Sequence, residues 1–115
     1  MPNYMLLLYG PADSRPSQEE QAAEMPKWEA YTQSLQDAGV MVAGDALHGT
    51  DAATTVRVRG GETQVTDGPF AETKEALVGY YLLDCPDLDT ALAHGGRAPI
   101  AEHGSVEVRP VVDFG

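Results

Sequence analysis

The run Tyr4-Met5-Leu6-Leu7-Leu8-Tyr9 carries no charge and is closed by Gly10-Pro11. An apolar run of that length reads as a central strand buried on both faces, because a strand with one wet face alternates apolar and polar residues. The fold must therefore bring cover to each side of this strand. The next segment supplies one cover. Ser17 followed by Glu20 forms a capping box, and Glu19 and Glu20 suit the positive end of a helix dipole. Trp28, Tyr31, Leu35 and Ala38 recur at spacings of three and four, and Gly39 is suited to stop the helix. Pro26 inside this segment predicts either a kink near Met25 or two consecutive helical pieces.

Val40 to Ala43 reads as a second strand and Thr54 to Arg59 as a third, with Val56 and Val58 on one face and Arg57 and Arg59 on the other. Gly60-Gly61 is a two-residue hairpin signal leading into Glu62 to Thr66. Leu77 to Asp84 is a further strand. Asp87 is suited to cap a short helix from Leu88 to about His94 that Gly95-Gly96 ends, and Ser105 to Arg109 closes the pattern before Pro110. Gly10 to Pro16 and Gly44 to Ala53 read as polar loops. The order is strand, helix, strand, inserted hairpin, strand, short helix, strand. That is an α+β, ferredoxin-like split βαβ arrangement with both helices on one face of an antiparallel sheet. The other face, rich in valine and leucine, is costly to leave in water and is expected to meet its equivalent in a second subunit, as a homodimer.

At 115 residues the chain is one domain over residues 1–115, and a domain of this size buries roughly two-thirds of its unfolded surface. Seven Lys and Arg against 18 Asp and Glu leave a formal charge of −11, which disfavours direct binding to nucleic acid or to an anionic membrane surface. The negative surface serves solubility or meets a basic partner. Cys85 is the sole cysteine, so neither an intrachain disulfide nor a cysteine-rich zinc site is available. The first residues lack a basic signal-peptide region, and their apolar run is too short to span a membrane, so a cytoplasmic location is expected.

The segment Asp67-Gly68-Pro69-Phe70-Ala71-Glu72-Thr73-Lys74-Glu75 concentrates charge and turn chemistry between strand-like segments. Asp67 is suited either to open a turn by accepting backbone N–H groups or to act as a general base. Phe70 is expected to plug the core and pin the loop, with ligand stacking as the other use. In an extended segment Glu72 and Lys74 share a side, where they either pair with each other or divide proton handling and anion binding between them. His48 is the default proton-transfer candidate, since histidine alone titrates unaided near neutral pH; a hydrogen-bonded loop residue is its plainer role. Arg109 either clamps a ligand carboxylate or pairs with Glu107 or Glu75. Of Tyr80 and Tyr81, one ring enters the interior and the other lines a pocket or the dimer seam. Trp28 is expected to anchor helix to sheet, and His94 and His103 to face solvent. The candidate catalytic residues are His48, Asp67 and Glu72; the candidate ligand contacts are Lys74, Arg109, Phe70 and Tyr81. The spacing of the three histidines matches no metal motif, and no nucleotide-binding glycine pattern occurs, so neither metal nor cofactor is expected.

The string "DGPFAETKEALVGYYLLD", followed by a short helix and "GSVEVRPV", resembles the DGPF branch of the YCII-related proteins over nearly the whole chain. The resemblance implies a dimeric α+β barrel, and an association with extracytoplasmic-function sigma factors. It also points to a His-Asp pair in the wider group. Here the sequence departs from that pattern, since Trp28 and its neighbours occupy the helix region where those relatives carry the histidine. Two functions stay open. One is a small homodimer binding, and as an enzyme converting, a small polar or aromatic metabolite by cofactor-independent acid–base chemistry. The other is a non-enzymatic accessory or regulatory protein for a sigma factor or another protein partner.

Overall fold

The computed structural model of the chain describes residues 2–115. Strand β1 (Asn3–Pro11) lies inside a four-stranded antiparallel sheet with β2 (Met41–Ala46), β5 (Glu75–Asp84) and β6 (Ser105–Pro110), in the order β2-β5-β1-β6. Strands β3 (Thr54–Arg59) and β4 (Glu62–Asp67) pair only with each other, as a hairpin between β2 and β5. Helices α1 (Gln18–Asp37) and α2 (Leu88–Gly96) cover one face of the sheet. The fold is α+β and ferredoxin-like, as the element order predicted. Among the described residues no helix is long and apolar enough to cross a membrane.

Burial alternates strictly along β1: Tyr4, Leu6 and Leu8 point into the core, while Met5, Leu7 and Tyr9 are only half-buried on the opposite face. The expectation of cover on both faces is therefore met on one face within a single chain. Tyr81 and Leu83 of β5, Tyr31 and Leu35 of α1, and Ala91 of α2 complete the same cluster as Leu6 and Leu8. Val106 and Val108, opposite Leu8 and Leu6, pack against its rim.

Helix α1 begins as its capping box dictates. The Glu20 N–H donates to Ser17 Oγ at 3.1 Å, and the Ser17 N–H donates to Glu20 Oε1 at 3.2 Å. It runs without interruption through Pro26, so of the two outcomes that the sequence suggested the pair of consecutive pieces is not the one that forms. Ala22 and Pro26 are both exposed, so water can take the carbonyl that the missing N–H leaves free. The helix ends in a Schellman motif. The Gly39 N–H donates to Gln36 O at 2.9 Å and the Val40 N–H to Leu35 O at 3.2 Å, with buried Val40 packed in the same cluster as Leu35.

Several boundaries differ from the sequence expectation. Strand β2 extends through Gly44 to Ala46, because pairing with β5 outweighs the weak strand preference of Gly-Asp-Ala. Strand β5 starts at Glu75 rather than Leu77, held by the pairing of Pro11 with Glu75 and Gly10 with Ala76. Helix α2 includes Gly95 and Gly96; Gly95 is buried against the sheet, with Val106, Val108 and Leu6 at ordinary van der Waals distance from where a side chain would begin. Its N-cap is Asp87, as expected, accepting the Thr90 N–H at 2.8 Å. At the hairpin tip, Gly60 and Gly61 take φ of 58° and 81°, the left-handed values that a primed turn requires.

Candidate functional site

A cleft of about 1090 Å³ opens between α1, which lines it from Gln21 to Gln36, the loop that precedes α1, the end of β2 and the loop that follows β2. Its apolar wall is built around Trp28, which sits half-buried with its ring 6.5 Å from that of Tyr81 at an interplanar angle of 14°. Tyr31 meets both rings edge-on, at 6.3 Å from Trp28 and 5.4 Å from Tyr81. Edge-to-face and offset parallel contacts of this kind hold aromatic rings in fixed orientations. Tyr81 can lie here because Gly44 stands opposite it across the β2–β5 pair. A β-carbon at Gly44 would fall 2.7 Å from the Tyr81 ring, so a side chain at that position would displace the ring.

The Tyr81 hydroxyl is 2.7 Å from Thr32 Oγ1, and both residues line the cleft. Two hydroxyls sharing one hydrogen bond leave one O–H to donate elsewhere, together with spare lone pairs. The pair is thus a polar point inside an otherwise apolar wall. Thr32 follows Trp28 by four residues, so the helix puts both on one face; that spacing was available in the sequence, and the pairing of Thr32 with Tyr81 was not. At the mouth, Arg15 donates to the carbonyls of Ala12 at 3.1 Å and Ser14 at 2.8 Å. His48 also lines the cleft, on an exposed loop whose start is pinned by the Leu47 N–H donating to Val78 O at 2.8 Å.

Of the sequence candidates, His48 and Tyr81 come together in this cleft, and Asp67, Phe70, Glu72, Lys74 and Arg109 lie outside it. Asp67 ends β4 opposite Thr54, and among the described residues its carboxylate accepts none of the turn N–H groups anticipated for it. Phe70 is 77% exposed, so it is no core plug. The loop is pinned instead through its backbone: Gly68 O accepts from Thr55 Oγ1 at 2.8 Å, Phe70 O from Arg57 at 3.0 Å, and Lys74 O from the Ala12 N–H at 2.8 Å. Residues 68–74 form no strand, so the alternation that placed Glu72 beside Lys74 does not apply. The one ion pair among the described residues is Lys27 with Glu24 at 3.1 Å; neither Glu72–Lys74 nor an Arg109 pair forms. Glu75 accepts instead from Ser105 Oγ at 3.2 Å. Arg109 lies exposed opposite Met5 in the β1–β6 pair.

Tyr80 points to the open face, where its hydroxyl donates to Asp45 Oδ2 at 2.8 Å. That hydrogen bond, with the Asp45 charge, raises the Tyr80 pKa above the usual phenol value. Burial, then the negative neighbours Asp84 and Asp87, push the Cys85 thiol up, which leaves it a packing residue and a poor nucleophile. Among the described residues no three His, Cys, Asp or Glu side chains converge as metal ligands would.

A second polar cluster lies behind the aromatic wall. The Tyr31 hydroxyl donates to His94 O at 2.8 Å, and the Arg97 guanidinium sits 5.7 Å over the Tyr31 ring and 2.6 Å from His94 Nδ1. His94 is therefore half-buried rather than solvent-facing, while His103 is exposed as expected. Burial raises the Tyr31 pKa to about 12, against an opposing pull from Arg97; burial, followed by Arg97, lowers that of His94. The signs give two edges to the stability profile. A phenol raised in the fold stabilises below its unfolded pKa near 10 and loses that contribution as pH climbs through about 12. An imidazole lowered in the fold contributes fully above its unfolded pKa near 6.5, and that contribution falls as pH drops through the lower folded value. Urea titrations at a series of pH values should show both losses. Tyr31→Phe should reduce the alkaline one, to which the raised Tyr80 and Cys85 also contribute, while costing about 1 kcal/mol at pH 8 for the lost hydrogen bond; an unchanged alkaline edge would contradict this account.

A sequence profile described as the YCII-related domain matches residues 3–115. An uncharacterised protein of Rhizobium meliloti (strain 1021) is 44% identical over 97 residues, a stretch covering 83% of this chain and 78% of that protein. Neither description carries a substrate, a ligand or a partner.

Proposed function

The chain belongs to the YCII-related domain family, and from that premise we propose that it is a homodimeric, small-molecule-binding protein of the DGPF branch whose site is the cleft beside α1. The observation that carries this reading is the wall of the cleft: Trp28 and Tyr81 nearly parallel, with the Thr32–Tyr81 hydroxyl pair beside them. Such a surface suits a small aromatic metabolite bearing one polar group, which the free O–H can reach. Acid–base conversion of that ligand would run through His48, the one imidazole lining the cleft, and would need no cofactor. In the dimer, the open face carrying Met5, Leu7 and Leu82 packs on its equivalent about a two-fold axis, closing an α+β barrel. Half-buried apolar side chains on that face support the arrangement.

Trp28 is the only tryptophan, so its emission reports on the cleft. Titration with a panel of aromatic acids, amines and neutral ring compounds is expected to give a saturable change for at least one class. Thr32→Val should weaken that binding about tenfold, the value of one hydrogen bond to ligand. The same compound at a hundred times its Kd should stabilise by about 2.7 kcal/mol. Product formation lost in His48→Ala, with binding retained, would identify an enzyme. A panel that neither shifts the emission nor raises Tm counts against the cleft.

A second reading has its own support. The charged residues Asp67, Glu72 and Lys74 are exposed and outside the cleft, which is the disposition a protein-contact surface needs. A formal charge of −11 supports, through electrostatic complementarity, an accessory or regulatory role against a basic face such as that of an extracytoplasmic-function sigma factor.

A further inference from the structure

The hairpin β3–β4 is turned the wrong way for a monomer. Register pairs Val56 with Val65 and Val58 with Thr63, so the valines share one face. These valines are 64%, 68% and 60% exposed at positions 56, 65 and 58, whereas Thr55 and Arg57 on the other face are half-buried against the loop that follows. Water would favour the reverse, and a lone two-stranded hairpin is marginal by itself. A second costly exposure lies at the far end of the molecule. The Val111 N–H donates to Asn3 O at 2.9 Å, and the chain continues past that end of β1 with Val112 67% and Phe114 96% exposed. The hairpin leaves the opposite end, where Pro11 pairs with Glu75.

We infer that one two-fold axis covers both: in the homodimer the valine face of each hairpin packs on residues 112–114 of the partner copy. An axis running across β1 reverses the second copy, so the hairpin projecting from the Pro11 end of one copy meets the closing segment projecting from the Asn3 end of its partner. The area needed supports this. By alternation the open face of the sheet offers only about fifteen side chains, whereas a stable interface takes roughly 20–30 residues a side. Hairpin and closing segment supply the remainder. The shape agrees, since the radius of gyration of 16.1 Å exceeds the value of about 13 Å expected for a compact chain of this length. The inference rests on the dimer proposed above and adds which elements clasp.

Sedimentation equilibrium on the full chain tests it through a double-mutant cycle of Val65→Lys and Phe114→Ala, with Leu7→Lys as a probe of the sheet face and far-UV circular dichroism as the folding control. Each substitution acts twice about the axis, so Val65→Lys should raise the dimer Kd about a hundredfold or more. Phe114→Ala should raise it too, and the double variant should fall well short of the product of the two effects. Val65→Thr, which keeps the β-branch, covers the case of a misfolded lysine variant and should weaken the dimer less but in the same direction. Independent effects, or an unchanged Kd in the hairpin variants while Leu7→Lys dissociates the dimer, overturn the clasp and leave the sheet-face dimer standing. A parent chain monomeric at every concentration overturns both.

Discussion

Gly104→Ala should destabilise the protein by about 3 kcal/mol or more, a penalty in the range set by overpacking against a rigid neighbour. A β-carbon built at Gly104 falls 2.0 Å from Tyr9 O and 3.1 Å from Tyr9 C, with Ile100 Cγ1 also at 3.1 Å. The obstacle is backbone, and no rotamer change relieves it. Gly104 is further held by its N–H donating to Ile100 O at 2.7 Å, and the next residue, Ser105, opens β6 opposite Tyr9. Accommodating one methyl group therefore means pulling the start of β6 away from the central strand. Gly96→Ala is the control, since nothing lies within 4 Å of its added carbon. Urea unfolding followed by circular dichroism should show a large fall in midpoint for the first variant and little change for the second. A Gly104→Ala protein within 0.5 kcal/mol of the parent would falsify the close-approach argument.

Leu6→Ala should cost about 2–5 kcal/mol, with the upper half of that range favoured by the surroundings. Leu6 is fully buried on the central strand, between Tyr81 of β5 and Val108 of β6. A truncated site recovers energy only if its walls collapse inward. Here β1 is hydrogen-bonded on both sides, so the strand cannot shift toward the helices without disturbing its ladders with β5 and β6. The strand is not free to follow. A drop in Tm of roughly ten degrees or more corresponds to this cost for a domain of this size. A loss below 1 kcal/mol would mean that the core relaxes around the truncated side chain.

Much of the fold was legible because its signals are local. The Ser17–Glu20 capping box, the Asp87 N-cap and the Gly60-Gly61 turn each act within a few residues, and each stands in the structure as the sequence suggested. Elements went astray where a distant partner outvoted local preference. Gly44-Asp45-Ala46 reads as loop and becomes strand because β5 lies beside it, and Gly95-Gly96 reads as a helix stop and becomes the last turn of α2, with Gly95 buried against the sheet. The site was less legible than the fold. Asp67 to Glu75 drew attention through its density of charge, yet charge density marks a solvated loop as well as it marks a site. His48 and Tyr81 do line one cleft, but the wall that defines it joins residues from α1 and β5 far apart in sequence.

By itself the sequence determined the order and kind of the elements, one cover for the central strand, and an acidic surface, since these follow from periodicity, capping chemistry and composition. Only the tertiary structure decided which side chains share a cleft and which apolar faces stay bare. Trp28, Thr32 and Tyr81 meet because helix packing and strand register place them within van der Waals and hydrogen-bond reach, and the valines of the hairpin face outward because the loop after β4 binds Thr55 and Arg57 on the other side. Both outcomes depend on contacts between distant segments, and those contacts are a property of the folded arrangement rather than of any one stretch of chain.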